Sequence, residues 1–520
     1  MKEKGSIIIV VVVFGSVLLM SIGALVSLFL VQHNAIQRSI ASERSFQIAE
    51  AGINRYRWFL SHNPSDDSGL DTDYVDPIDG SVGHYTVDID PPAPGSTILE
   101  MTATGWTNDY PNLKRSIKVN FGKPSFTEFA FLSNSSAWFN AGEEVDGKVH
   151  SNGGIRIDGN VQSRVTTIKE TYICGPNHGC DNEEHPGIWG TGQDPTLWDF
   201  PVADGIDFDA IALDYYGIKA EANTDGVLLT ASDSFGYHII FNLDGTFSVY
   251  EVTSLRNPVW GHDGINWTYE SNSINSEELI LEYENVPIPS NGLIFVEDQT
   301  WVSGKVNGRA TVVAANTDTT SSETYDIIIP QNIEYYPDNT SGSVLGLMAQ
   351  EDILVPLYIG SDGLGPSGEC TIEKVLICHQ PGTSAEASLC VPSQAIQVEG
   401  HLVHGDYQGA CVEGTGGSGE FSEDLVIEAA MLAQNGHVFR YYYYPPYYPQ
   451  DTLHNLIRVY GTIITNKPWT WTWVNDEFVV TSGFINSEIT YDSNLYFNPP
   501  PFFPSQEEYE FISWEEVDPT

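Results

Sequence analysis

Polarity divides this chain into one long apolar run and a much longer region of short alternations. Ile7 to Val31 is almost purely apolar, long enough to cross a bilayer as a helix. No small-residue cleavage site of the secretory kind follows it. Instead Gly5 stands in front of the run, just after Lys2 and Lys4. Beyond the run, Ile36, Ile40, Phe46, Ala49, Ile53 and Phe59 recur near three- and four-residue steps. That spacing predicts one continuing helix with an amphipathic outer half, stopped by Asn63-Pro64. The period then changes to two. His84–Asp90, Ile98–Trp106 and Lys114–Phe121 alternate, which predicts a small antiparallel sheet packed on the helix.

From Phe126 the pattern is of short apolar pieces separated by Gly-Asn and Asp-Gly turns. The cadence of Val145–Val161 returns at Gly304–Asn316, Ile327–Ile333, Leu345–Val355, Leu425–Gln434 and Ile457–Thr465, with small residues (Ala314, Ala315, Ala429, Ala430, Ala433) at inward positions. The fold class expected is therefore mainly β. An N-terminal transmembrane α-helix carries a small α+β head, and a β-helix-like solenoid ectodomain with insertions follows. A β-sandwich is the alternative. The corresponding divisions are 1–5 leader, 6–62 helix, 63–123 sheet, 124–199 first solenoid-like part, 200–290 inserted β region and 291–520 C-terminal solenoid-like domain. Within 200–290, Gly236–Tyr250 predicts a hairpin turning at Asp244-Gly245.

Composition sharpens this picture. Glycine (47), proline (29) and 12 % aromatics suit an all-β ectodomain. The formal net charge of −48, from 22 basic and 70 acidic residues, argues against nucleic acid as a partner. It implies either a salty habitat or bound divalent cations. The acidic stretch Asp66–Asp73 to Asp79-Gly80 can offer calcium its oxygens, although it lacks the spacing of an EF-hand loop. Lys2 and Lys4 ahead of the apolar run keep the short N-terminus cytoplasmic and place the rest outside.

The leader ending at Gly5, the apolar helix behind it, and the stretch Ala41-Ser42-Glu43-Arg44-Ser45-Phe46-Gln47-Ile48-Ala49-Glu50-Ala51-Gly52 resemble the N-terminus of type IV prepilins. The last segment is similar to that of PilX-like minor pilins and K-type pseudopilins. The resemblance covers about the first tenth of the chain. It implies cleavage between Gly5 and Ser6 by prepilin peptidase, a pilin-like head, and assembly with other pilin subunits and the pilus machinery into a surface filament. The acidic fifth mature residue of major pilins is replaced here by Val10, as is common in tip-located minor members. Residues 291–520 resemble a domain of bacterial surface and pilus-associated proteins, through Leu345–Gln350, Ala429–Gly436, Tyr460–Asn466 and Pro499–Pro504. That resemblance implies no chemistry.

Six cysteines in an outside-facing chain favour disulfides: Cys174, Cys180, Cys370, Cys378, Cys390 and Cys411. Cys174 and Cys180 enclose a turn-rich loop. Residues 370–412 resemble a recurring Cys/His module of bacterial surface proteins, with Ala387 where that pattern has a histidine. Cys378, His379, His401, His404, Asp406 and Cys411 form a candidate set for zinc or copper. The alternative is a pair of disulfides bracing a mini-domain too small for a core. No serine-nucleophile elbow, zinc-protease helix or phosphate loop occurs. The acidic pairs Asp207/Asp209 and Glu277/Glu278 read as solvated surface, so no enzyme is expected. The candidate binding platform, for a surface glycan or a partner protein, is aromatic: Tyr441, Tyr442, Tyr443, Tyr444, Tyr447 and Tyr448, and Trp469, Trp471 and Trp473 on one strand face.

Overall fold

The computed structural model describes residues 5–519 apart from 63–67, 79, 93–97, 124, 204, 209–213, 360–373, 380–386, 393–406, 409–423, 449–450, 497 and 506–508. The chain forms two compact units: Met1–Ala93 with Thr97–Lys123 and Glu507–Thr520, and Pro94–Ser96 with Pro124–Gln506.

The first unit is built on one helix, α1 (Gly5–Leu60), about 84 Å long at the standard rise. Strands β1 (Leu70–Asp76), β2 (Gly80–Asp90), β3 (Ile98–Thr107) and β4 (Tyr110–Gly122) form an antiparallel sheet on its outer half. Ile48, Ala49, Ile53, Tyr56 and Leu60 pack there against Tyr85, Met101, Ile117, Val119 and Phe121. The buried stripe differs from the one the periodicity predicted. It starts at Ala41 and runs through Ser45, Ile48 and Ala49, whereas Ile36 and Ile40 are exposed. The sheet begins to cover the helix only there. Close approach decides the contact: a Cβ on Gly105 would stand 2.5 Å from both Ser45 O and Ala49 N, so glycine lets β3 touch the helix backbone.

A fifth strand completes this sheet. Glu510–Val517 pairs antiparallel with β4. The domain expected over 291–520 therefore loses its last residues to the first unit. The reason is register: the alternating pattern of β4 presents a free edge, and the returning C-terminus satisfies it.

The second unit is almost all strand and runs in parallel ladders. In one, ten strands follow each other in the order Val227–Leu229, Leu293–Val296, Arg309–Ala314, Val344–Ala349, Leu425–Ala433, Leu453–Thr465, Phe131–Ser133, Val149–Ser151, Val165–Thr167 and Trp198–Asp199. A second ladder runs from Tyr237–Phe241 through Thr300–Val306, Ile327–Ile328 and Ile353–Leu354 to Val438–Phe439. A third includes Ile333–Tyr335, Leu453–Gly461, Val480–Tyr491, Glu143–Asp146 and Asn160–Val161. Alternate residues of all three enter one apolar core. Ala314, Ala429 and Ala433 face it, while Ala315 and Ala430 belong to a second cluster with Ile218 and Ala222 of the helix Tyr215–Asp225.

Two features of this stack were not anticipated. The chain enters it in the middle: Phe131 lies beside Ile463, and Asn134 bonds Asn466 across 332 residues. The region 200–290 is also more than an insertion, since Val227–Leu229 and Tyr237–Phe241 supply rungs to two ladders. Its hairpin does form where Asp244-Gly245 predicts, pairing Tyr237–Phe241 with Thr246–Leu255.

A chain of amide hydrogen bonds ties successive strands of the first ladder just past their ends. Gln350 Oε1 accepts from Asn316 N (2.8 Å), and Asn435 Nδ2 donates to Gln350 O (2.9 Å). Asn466 Nδ2 donates to Gln434 O (2.9 Å), Asn134 Nδ2 to Asn466 Oδ1 (2.8 Å), and Asn152 Nδ2 to Asn134 Oδ1 (2.8 Å). Such ladders satisfy the amide at one strand end with the next. The recurring strings ending in Ala349-Gln350, Ala433-Gln434-Asn435 and Thr465-Asn466 all finish at these strand ends.

Candidate functional site

The inner half of α1 is an uncovered apolar rod. Ile8 to Val31 is exposed along its length, and among the described residues this is the one helix long and apolar enough to cross a membrane. The helix begins at Gly5. The side chains of Ser6 and Ile7 lie outside the described residues. Val10 is 49 % exposed.

The acidic stretch is partly strand. Asp71 and Asp73, on β1, clasp the imidazole of His84 on β2: Nε2 to Asp71 Oδ1 is 2.5 Å and Nδ1 to Asp73 Oδ1 is 2.8 Å. These hydrogen bonds raise the His84 pKa, with Asp73 the larger influence. Its folded value then lies above its unfolded one, so the clasp stabilises fully below the ordinary value of 6.5. The contribution fades as pH rises through the folded value. The carboxylates are well exposed, so the effect is below about 1 kcal/mol. The protection factors of β1 and β2 amides, which remove the intrinsic pH dependence of exchange, are expected to be higher at mildly acid than at mildly alkaline pH, and His84→Gln should abolish that difference.

Cys174 and Cys180 are joined by a disulfide. Arg156 holds the loop they enclose. Its Nη1 donates to the carbonyls of His178 (2.7 Å) and Gly179 (3.1 Å), and its Nε to Asp158 (2.7 Å). The guanidinium lies against Trp138 (4.5 Å), Trp189 (5.0 Å) and Phe478 (5.2 Å). Burial, helped by Arg156, pushes His178 down to about 4, so it stays neutral.

In the Cys/His module, strands Lys374–His379, Ala387–Pro392 and Tyr407–Gln408 form one antiparallel sheet. Its register sets Cys378 opposite Ser388 and Tyr407, and Cys390 opposite Leu376. The side chains of Cys378, His379 and Cys390, and all of Cys370, His401, His404, Asp406 and Cys411, lie outside the described residues. Among the described residues no group of three or more His, Cys, Asp or Glu could hold a metal ion.

The aromatic platform is divided by burial. Trp469 and Trp471 are core residues, 6 % and 1 % exposed; Trp469 packs on Phe131 and Phe139, and Trp471 on Trp469. They do not form one exposed strand face with Trp473, because the strand here is only Thr472–Val474 and Thr470 bridges Phe439 as a rung of the coil. Tyr443 is fully buried, whereas Tyr444 and Tyr447 are 42 % and 61 % exposed. The tyrosine run therefore alternates between core and surface.

Beneath Tyr443 lies a buried polar hub. Tyr443 Oη donates to Glu270 Oε1 at 2.6 Å. Arg440, wholly buried, donates to the carbonyls of Pro356, Leu357 (3.3 Å) and Asp451 (2.5 Å), and to His454 Nε2 (3.1 Å). Burial and the adjacent guanidinium hold His454 well below its ordinary value, so the ring stays neutral; its Nε2 also lies 3.0 Å from Asp451 O. Burial raises the Glu270 carboxyl, against the pull of Tyr443 and Arg440. Nothing in the sequence pattern marked Arg440 or Glu270.

A third cluster has the connectivity of a nucleophilic relay. Ser303 Oγ lies 2.9 Å from His238 Nε2, and His238 Nδ1 lies 2.8 Å from Glu277 Oε2. That order activates a serine where substrate can reach the hydroxyl. Here Ser303 and His238 are 0 % and 2 % exposed, and the cluster instead clasps strand Ile274–Leu279 to Thr300–Val306. Glu277 is thus a bonded carboxylate and not the solvated one its composition implied.

No family model matches this chain, and no curated protein matches it. Among solved structures, the competence-associated pilin ComZ from Thermus thermophilus matches over 92 % of this chain and 97 % of its own, at 12 % identity and a TM-score of 0.26. Similarity at that level does not establish a shared fold.

Proposed function

We propose that this protein is a non-enzymatic minor pilin or pseudopilin-like subunit of a type IV pilus or related filament. One observation carries the reading: a single unbroken helix whose apolar inner half is uncovered while its outer half is buried under an antiparallel sheet. The inner half needs an apolar surrounding, either a bilayer or a bundle of like helices. Gly5 ahead of that helix, and the segment Ala41–Gly52 at the point where the sheet takes hold, support the PilX-like assignment. Prepilin peptidase would remove Met1–Gly5. Other pilin subunits would then receive the helix, and the second unit would be displayed outside, at the tip or flank. Its parallel ladders, common core and amide stack support reading that unit as a β-solenoid in preference to a sandwich, since sandwiches pair their strands antiparallel.

The test is the native N-terminus, read by mass spectrometry from cells with and without prepilin peptidase. A chain starting at Ser6 only when the peptidase is present is the expected result. A chain starting at Met1 in both strains would overturn the proposal. It would leave the second reading, a single-pass surface adhesin, which the exposed Tyr444 and Tyr447 favour.

A further inference from the structure

One face of the second unit carries aromatic rings that no core accounts for. Strands Val259–His262, Trp267–Glu270 and Tyr442–Tyr443 form a three-stranded antiparallel sheet. Its register sets Trp260 opposite Tyr269, and His262 opposite both Trp267 and Tyr442. Opposed residues of an antiparallel pair, and residues two apart on a strand, share a face. All five rings therefore stand on one side, while Val259, Glu270 and Tyr443 turn the other way and are buried. Trp473 extends the row from the neighbouring strand, 6.0 Å from Tyr442 and 6.2 Å from His262. Within the row the ring centres are 3.9 Å (Trp260–Tyr269), 6.5 Å (Trp260–Trp267), 5.2 Å (His262–Trp267) and 5.7 Å (Trp267–Tyr442) apart. Trp267 is 50 % and Tyr269 61 % exposed. Trp260, His262, Tyr442 and Trp473 are half-buried beside them, and a contiguous aromatic row with exposed rings at its edge marks a binding surface.

Charge selects the partner. Elsewhere the chain lays its own cations over aromatic rings: Lys114 over Trp106, Arg115 over Phe46, Arg156 over Trp138 and Trp189. Among the described residues, no lysine or arginine lies over any of these six rings. An anionic polymer would meet a bare face on a chain of net charge −48. For a cationic one the hairpin 259–270 offers little charge: Glu270 is turned inward and buried, which leaves Asp263, whose Oδ1 already accepts from Ile265 N and Asn266 N at 2.7 Å each. What fits is an uncharged partner with flat C–H faces for the rings and hydroxyl edges for the indole and phenol groups. We propose that this sheet face binds a neutral polysaccharide chain, by stacking on the row that Tyr269, Trp260 and Trp267 begin. The proposal does not rest on the pilin reading, because a chain that retained Met1 would present the same face.

The test is affinity electrophoresis of the detergent-solubilised full chain through gels containing hydroxyethylcellulose, galactomannan or dextran, with alginate and chitosan as anionic and cationic polymers. At least one neutral polymer should retard the protein, and added salt should leave the retardation unchanged. Trp267→Ala and Tyr269→Ala should each weaken it about tenfold in Kd, the size of one aromatic contact. Both side chains are at least half exposed, so the variants should melt as the parent does. Tyr447→Ala should bind as the parent. The proposal is overturned if no neutral polymer retards the chain, or if both alanine variants bind normally. Salt-sensitive binding to chitosan alone, or self-association that these two substitutions abolish, would overturn it equally.

Discussion

Replacing Arg440 with alanine should destabilise the second unit by about 3–5 kcal/mol, the range for removing one partner from a buried charged network. The guanidinium has no route to water, and it satisfies three carbonyl oxygens and His454 at once. It also lies 5.1 Å from the Tyr443 ring and 5.9 Å from Phe484, so its loss opens a cavity as well as orphaning acceptors. Glu270 would remain buried without the cation that eases its ionisation. Arg440→Lys keeps a charge but not the planar fork, and should recover only part of the loss. Urea unfolding of the second unit, followed through its tryptophans, checks both. Wild-type stability in Arg440→Ala would show that the hub is not a keystone.

Ending the chain after Asp451 should unfold the strands formed by residues 125–199, although every residue of that segment is retained. Phe131–Ser133 would lose its partner strand Ile463–Thr465. Glu143–Asp146 would lose Ser487–Thr490, and the core would lose Trp469, Trp471, Phe484 and Ile489. Strands this short persist only while the strands paired beside them remain. Hydrogen exchange across Phe131–Ser133 should approach that of an open segment, and limited proteolysis should cut within 125–199. The first unit should suffer too, since Glu510–Val517 covers the edge of β4. Retained protection of 125–199 would mean that these strands support themselves.

Both outcomes depend on features that differ in how far they could be read locally. The long helix, the three alternating strands of the head and the Asp244-Gly245 hairpin were legible because each is specified by near neighbours: a period, a stop, a turn. The glycine- and alanine-marked cadence after Phe126 announced short strands for the same reason. The strand-end amides were visible as repeated strings, but their meaning was not, because Asn134 meets Asn466 only across a sequence separation of 332. Period itself was obscured by insertions of unequal length between rungs.

The sequence by itself determined an apolar rod with a helical outer half, an acidic ectodomain rich in short strands, and the turns between them. Tertiary structure alone decided that the chain enters its stack in the middle and that the C-terminus returns to the head sheet. It alone put Trp469 and Trp471 inside while Trp260 and Trp267 stand outside. Alternation along a strand says which residues share a face but not which face is covered. Coverage depends on the strand that arrives beside it, and here that strand often comes from several hundred residues away.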